Sequence, residues 1–287
     1  MNPPPIALAG GPYRAWLDPS CGGSLAALKW HGRDLLRPQR GGGVLASASF
    51  PLVPFCNRIA GSAFACGGRT IALSPNHPEA PGEPVLHGFG WLNRWAAERL
   101  AGDAARLAWR HERGEWPWRF ETVQDVGLGD EGAVLRLAAT NLDDTPMPVG
   151  LGFHPYFPRS GVSLYRGLHL AERQPGGTLL RAADPRDWWD GADVGTRLVD
   201  TTYAWRQGPL AIEWPRERLG LILDPSDELA FTHVYVPPGG TAFCVEPVSH
   251  LPEAFHSQAP ADGWRVLAPG ERMTVSLRLA AYSLDGP

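Results

Sequence analysis

Gly150-Leu151-Gly152-Phe153-His154-Pro155-Tyr156-Phe157 decides how the chain is read. With the two-residue period of a β-strand, Val149, Leu151 and Phe153 share one face, and Gly150, Gly152 and His154 share the other. The first set is apolar and suits a core. Glycine weakens a strand and often marks the close approach of a ligand, so two glycines beside a histidine point to a strand lining a cleft. Thr241-Ala242-Phe243-Cys244-Val245-Glu246-Pro247 repeats the design. Phe243 and Val245 face one way; Ala242, Cys244 and Glu246 face the other. Each strand has an apolar back and a small-residue front carrying one ionisable group. A histidine and a glutamate on one cleft supply an acid and a base for a small polar substrate.

The alternation recurs outward from these strands. In Met273 to Ala281, Met273, Val275, Leu277 and Leu279 point inward, and Thr274, Ser276 and Arg278 outward. Phe120 to Leu128 and Ala133 to Asn141 read as antiparallel strands joined at Gly129-Asp130-Glu131-Gly132. Further strands are expected at Tyr13 to Leu17, Ser24 to Trp30, 44–49, Arg106 to His111, Leu210 to Trp214, Leu219 to Leu223 and Phe231 to Val236. Phe64 to Leu73 forms a hairpin about Gly67-Gly68. No segment carries three turns of helical pattern, and no repeat or linker divides the chain. The fold read from this is all-β, one large antiparallel β-sandwich spanning residues 1–287.

Composition narrows the function. Hydrophobic residues are 44% and charged residues 20%, as in globular proteins. A formal net charge of −4 offers no basic field for nucleic acid or an anionic membrane. Cys21, Cys56, Cys66 and Cys244 form no CxxC pair, and free thiols suit a reducing cytoplasm. No signal-peptide pattern opens the chain, and no apolar run approaches the roughly 20 residues of a transmembrane helix. Neither a GxGxxG motif nor a P-loop is present, so no cofactor is expected.

Certain side chains carry chemistry. Glu246, on a small-residue face, gains basicity if desolvated. His154 exchanges protons near neutrality. His87 lies in Leu-His-Gly-Phe-Gly-Trp, where glycine permits a tight loop. Arg58, after Asn57, is a fork donor for sugar hydroxyls. Asp200 is an acceptor for them, and Trp91 and Trp205 offer faces on which a sugar stacks. A competing metal set of His87, His154 and Glu246 is weakened by spacing too wide for a short ligand motif.

Together these pieces resemble the aldose 1-epimerase (mutarotase) family. The matching residues are Asn57-Arg58-Ile59 with Gly61 and Phe64, then Leu86-His87-Gly88, His154-Pro155-Tyr156-Phe157, Asp200, and Phe243-Cys244-Val245-Glu246-Pro247. They span roughly residues 10–285 in the family's order. The resemblance implies a galactose-mutarotase-like β-supersandwich. Glu246 is implied as general base, His154 as general acid, and His87, Arg58 and Asp200 as sugar binders, with Asn57 and Trp91 beside them. The implied activity is cofactor-independent interconversion of α and β anomers of a free aldose, with a bell-shaped pH profile. Pro155, Pro158-Arg159 and Phe89-Gly90-Trp91 depart from the galactose-type pattern. Two alternatives are a non-catalytic sugar-binding module and a relative acting on hexose 6-phosphates, with Arg159 at the cleft mouth. The expected partner is a monosaccharide, without nucleic acid, membrane or metal, on a monomer or homodimer.

Overall fold

Two large antiparallel sheets face each other through the apolar sides of their strands. The computed structural model describes residues 5–159, 193–206 and 208–285 with their side chains, and the backbone of Ser163–Tyr165, His169–Arg173, Leu179–Arg181 and Ala192–Asp193. Among the described residues, one sheet has eleven strands and the other nine. Gly152–Pro158 and Ala242–Val248 are neighbours at the centre of the larger sheet, between Ser49–Leu52 on one side and Phe231–Val236 and Val199–Ala204 on the other.

The predicted alternation builds the core. Phe153, Phe157, Phe243 and Val245 are fully buried on the back of the larger sheet. They join one cluster with Leu135, Leu137, Val275, Leu277 and Leu221 of the facing sheet. Burying one such side chain contributes about 1.5–3 kcal/mol. The hairpins at Gly129–Gly132 and Gly67-Gly68 form as expected. The one α-helix among the described residues is Ala254–Ser257, and none is long and apolar enough to cross a membrane.

One strand prediction fails. Residues 44–46 form a 3-10 turn, and the strand starts at Ser49. The Arg37 guanidinium donates to the carbonyls of Leu45 (2.7 Å) and Ser47 (2.6 Å), supplying these carbonyls with partners outside a sheet ladder.

The front-face glycines make room for other parts of the protein instead of a ligand. A Cβ at Gly150 would lie 2.0 Å from Cδ2 of His250, and one at Gly152 would lie 2.9 Å from the Pro247 carbonyl oxygen and Cγ1 of Val248 and 3.0 Å from Sγ of Cys56. The buried His250 ring accepts the Cys56 N–H on Nε2 (2.9 Å), and its Nδ1 bonds the Leu251 carbonyl (2.7 Å). Glycine thus makes room for the ring that anchors the segment leading into Asn57 and Arg58.

Candidate active site

Strand register places the reactive side chains in rows. Phe50 pairs with His154, His233 with Glu246, and Thr202 with His233. Gly152 pairs with Val248 and Tyr156 with Cys244, a register that sets His154 opposite Glu246. One row therefore runs Phe50, His154, Glu246, His233, Thr202 across adjacent strands. Two residues further along, a second row on the same face runs Tyr156, Cys244, Tyr235, Asp200. Above this floor, Arg37, Asn57, Arg58, His77 and His87 help enclose a cavity of about 370 Å³, within the range of small-ligand sites.

A strained turn builds the wall. Asn57 and His87 both have φ of 58°, a region that disfavours side chains by about 1–2 kcal/mol per residue. They hold each other there. His87 donates its N–H to the Asn57 carbonyl (3.0 Å), and Asn57 donates its N–H to Nδ1 of His87 (3.1 Å). Strain of this kind collects at functional sites. Gly88 follows at φ 68°, where a Cβ would meet the Val53 carbonyl oxygen at 2.1 Å.

The contact between Nε2 of His154 and Oε1 of Glu246 is 3.2 Å, and both side chains are buried. Burial disfavours the charged form of each. It pushes Glu246 up to about 7, against the charge of His233, and pushes His154 down to about 3, with His233 adding to the effect. The two groups titrate as a pair that keeps one proton between those limits. That proton can sit on the carboxyl or on the imidazole. The arrangement is therefore an acid and a base that exchange roles across one short contact.

His233 carries a role that the sequence reading passed over. The Arg58 N–H donates to Oδ1 of Asn57 (2.7 Å), which leaves the Asn57 amino group to face Nδ1 of His233 (3.3 Å). Nδ1 must then accept, so Nε2 carries the hydrogen towards Oδ1 of Asp200 at 3.2 Å. Thr202 Oγ1 lies 2.9 Å from the same Nδ1. The bond from His233 holds Asp200 below the usual carboxylate range, against a smaller opposing effect of burial. The signal available in the sequence was position: His233 alternates with Tyr235 on one face of a strand already predicted.

Donor atoms of His87, His154 and Glu246 lie within 4.8 Å of one another, so the fold closes the gap that their spacing left open. The hydrogen-bonding pattern nevertheless disfavours a metal. Metal-bound histidine normally donates its other ring N–H to an acceptor, whereas Nδ1 of His87 receives the Asn57 N–H and leaves the hydrogen on Nε2. Burial, then the neighbouring charges of His154 and His233, hold this ring well below the usual histidine value.

Of the seven sequence-selected site residues, four join Glu246 and His154 at the cavity and one does not. Asn57, Arg58, His87 and Asp200 line the cavity with the pair. Arg58 also approaches Glu83, with Nε 3.5 Å from Oε2. Trp91 is a correction: it is fully buried and outside the lining. Its indole N–H reaches the carbonyls of Leu86 (3.2 Å) and Gly88 (3.1 Å), which draws the ring behind the His87 turn, stacked on Phe50 at 5.5 Å. Trp205 is also outside the lining, and it is exposed. Arg159 donates to the carbonyls of Gly195, Pro237 and Gly240 and stays away from the cavity.

Comparison with known proteins gives the family. Residues 19–280 match the sequence profile of the aldose 1-epimerase family. The chain is 32% identical over 259 residues to the uncharacterized protein YphB of Escherichia coli K12, covering 85% of this chain and 88% of that one. A crystal structure from Escherichia coli K12, provisionally described as an aldose 1-epimerase, superposes with a TM-score of 0.86 at 27% identity, covering 98% and 99% of the two chains. A galactose mutarotase-like protein from Clostridium acetobutylicum shares the fold, with a TM-score of 0.83 at 17% identity and coverage of 97% and 95%. The chain belongs to the aldose 1-epimerase family.

Proposed function

We propose that this protein interconverts the α and β anomers of a free aldose by opening and closing its ring. The observation that carries the reading is the buried His154–Glu246 contact of 3.2 Å on the floor of a sugar-sized cavity. Glu246 takes the proton from the anomeric hydroxyl while His154 gives one to the ring oxygen. The bond between C1 and the ring oxygen breaks, leaving the open aldehyde. Rotation about C1–C2 presents the other carbonyl face, and closure returns both protons with the roles reversed. One positioned acid or base typically contributes about 10²–10⁴-fold. Asp200, Arg58 and the Nε2–H of His87 hold the sugar hydroxyls. No hydride or phosphoryl group moves, so the reaction calls for no cofactor, and we place it in the cytoplasm.

Polarimetry on freshly dissolved α-glucose and α-galactose tests the proposal. The rotation should reach equilibrium faster with protein than in buffer, in proportion to protein concentration. A rate equal to that of buffer across a panel of aldoses would favour the non-catalytic binding module.

A further inference from the structure

Arg37 lines the cavity, yet among the described residues no carboxylate forms an ion pair with it. Of the other charged side chains of the lining, Arg58 has Glu83 close by and Asp200 has His233, while Glu79, like Arg37, forms no ion pair among the described residues. Charged side chains drawn out of bulk water are normally paired. Arg37 is also held rigidly. One terminal nitrogen donates to the carbonyls of Leu45 and Ser47, and Cζ lies 3.7 Å from the centroid of the Tyr156 ring. Those two bonds use one nitrogen of a group with five N–H donors. The donors on Nε and Nη1 remain for a carboxylate or phosphate oxygen.

The position suits a substrate group remote from the reacting carbon. The Tyr156 ring stands 4.7 Å from the His154 ring, with Arg37 packed on it. The guanidinium thus packs on the ring next to His154, and its charge reaches the His154 imidazole. We propose that Arg37 forms an anion subsite, so that the preferred aldose carries a carboxylate or phosphate distal to its anomeric carbon. The inference rests on the epimerase reading for its sugar and on Arg37 for its charge.

The test measures binding by calorimetry and anomer exchange by NMR for glucose, glucuronate and glucose 6-phosphate. Wild-type protein should bind an anionic sugar roughly 10- to 100-fold more tightly than glucose, the range of a charge-assisted contact. Arg37→Met should abolish that preference, read as the ratio of anionic-sugar to glucose affinity within the same variant. A gain confined to glucuronate assigns a carboxylate, and a gain confined to glucose 6-phosphate assigns a phosphate. Equal wild-type affinity for all three sugars overturns the inference. So does a uniform loss for all three in Arg37→Met, which would make the residue a pin for the 44–47 turn. Should that variant not fold, added salt serves in its place: the preference must shrink as chloride rises in the wild type, and a salt-independent ratio overturns it. A salt-sensitive anionic preference without exchange above the buffer rate would uphold the subsite and sink the epimerase reading.

Discussion

Oε1 of Glu246 and Nε2 of His154 face each other at 3.2 Å from neighbouring strands, both removed from solvent. Burial works on them in opposite senses, raising the carboxyl to about 7 and lowering the imidazole to about 3. Between those values the pair holds the single proton that ring opening needs. Anomer exchange should therefore fall as pH rises through about 7, when that proton leaves. NMR exchange rates from pH 5 to pH 9, taken in the same regime of acid–base control, check the direction. A rate that climbs through neutrality would place the acid on another group.

The same burial makes stability depend on pH. Unfolded, the Glu246 carboxyl titrates near 4.5; folded, it does so near 7. The folded state binds more protons across that window, so this group's contribution is present below 4.5 and is lost as pH rises through 7. At higher pH the buried carboxylate costs about 3 kcal/mol. Glu246→Gln should raise the urea midpoint at pH 8 and leave it nearly unchanged near pH 4, within the scope of linkage. Equal effects at both pH values would contradict the account.

Gly150 tests the seat of the Asn57–Arg58 loop. A Cβ there would stand 2.0 Å from a buried ring fixed by hydrogen bonds on both nitrogens. The ring has nowhere to move, so Gly150→Ala should destabilise by about 3 kcal/mol or more. Thermal unfolding measures it, and an unaltered midpoint would show that His250 can yield.

His233 joins the two sides of the cavity by accepting from Asn57 and donating to Asp200. His233→Leu leaves both partners unmatched and should raise KM about tenfold or more, with a smaller effect on kcat. His233→Gln, which keeps one donor and one acceptor, should restore most of the affinity. Initial-rate kinetics separate the two parameters. Gln performing no better than Leu would contradict the tautomer assigned from the network.

The fold was legible because it depends on local alternation. Met273, Val275, Leu277 and Leu279 face inward as their spacing requires, and the 129–132 turn carries the glycines its hairpin uses. His154 and Glu246 were visible as ionisable groups on otherwise small-residue faces. Their meeting depends on which strands become neighbours, and period two does not encode that. His233 was hidden for the same reason: its partners are Asn57 from a distant loop and Asp200 from the adjacent strand Val199–Ala204. Gly150 and Gly152 were correctly read as sites of close approach, but the approaching groups are His250 at the first and Pro247, Val248 and Cys56 at the second. Trp91 looked like a sugar platform until its N–H found carbonyls on the inner side of the His87 turn.

The central claim is that Glu246 moves the anomeric proton. Its most direct test is the anomer exchange rate of Glu246→Gln beside the wild type, with sugar binding followed by calorimetry on the same samples. The account predicts exchange reduced by about 10²–10⁴-fold with sugar still bound. Exchange at the wild-type rate in that variant would contradict it.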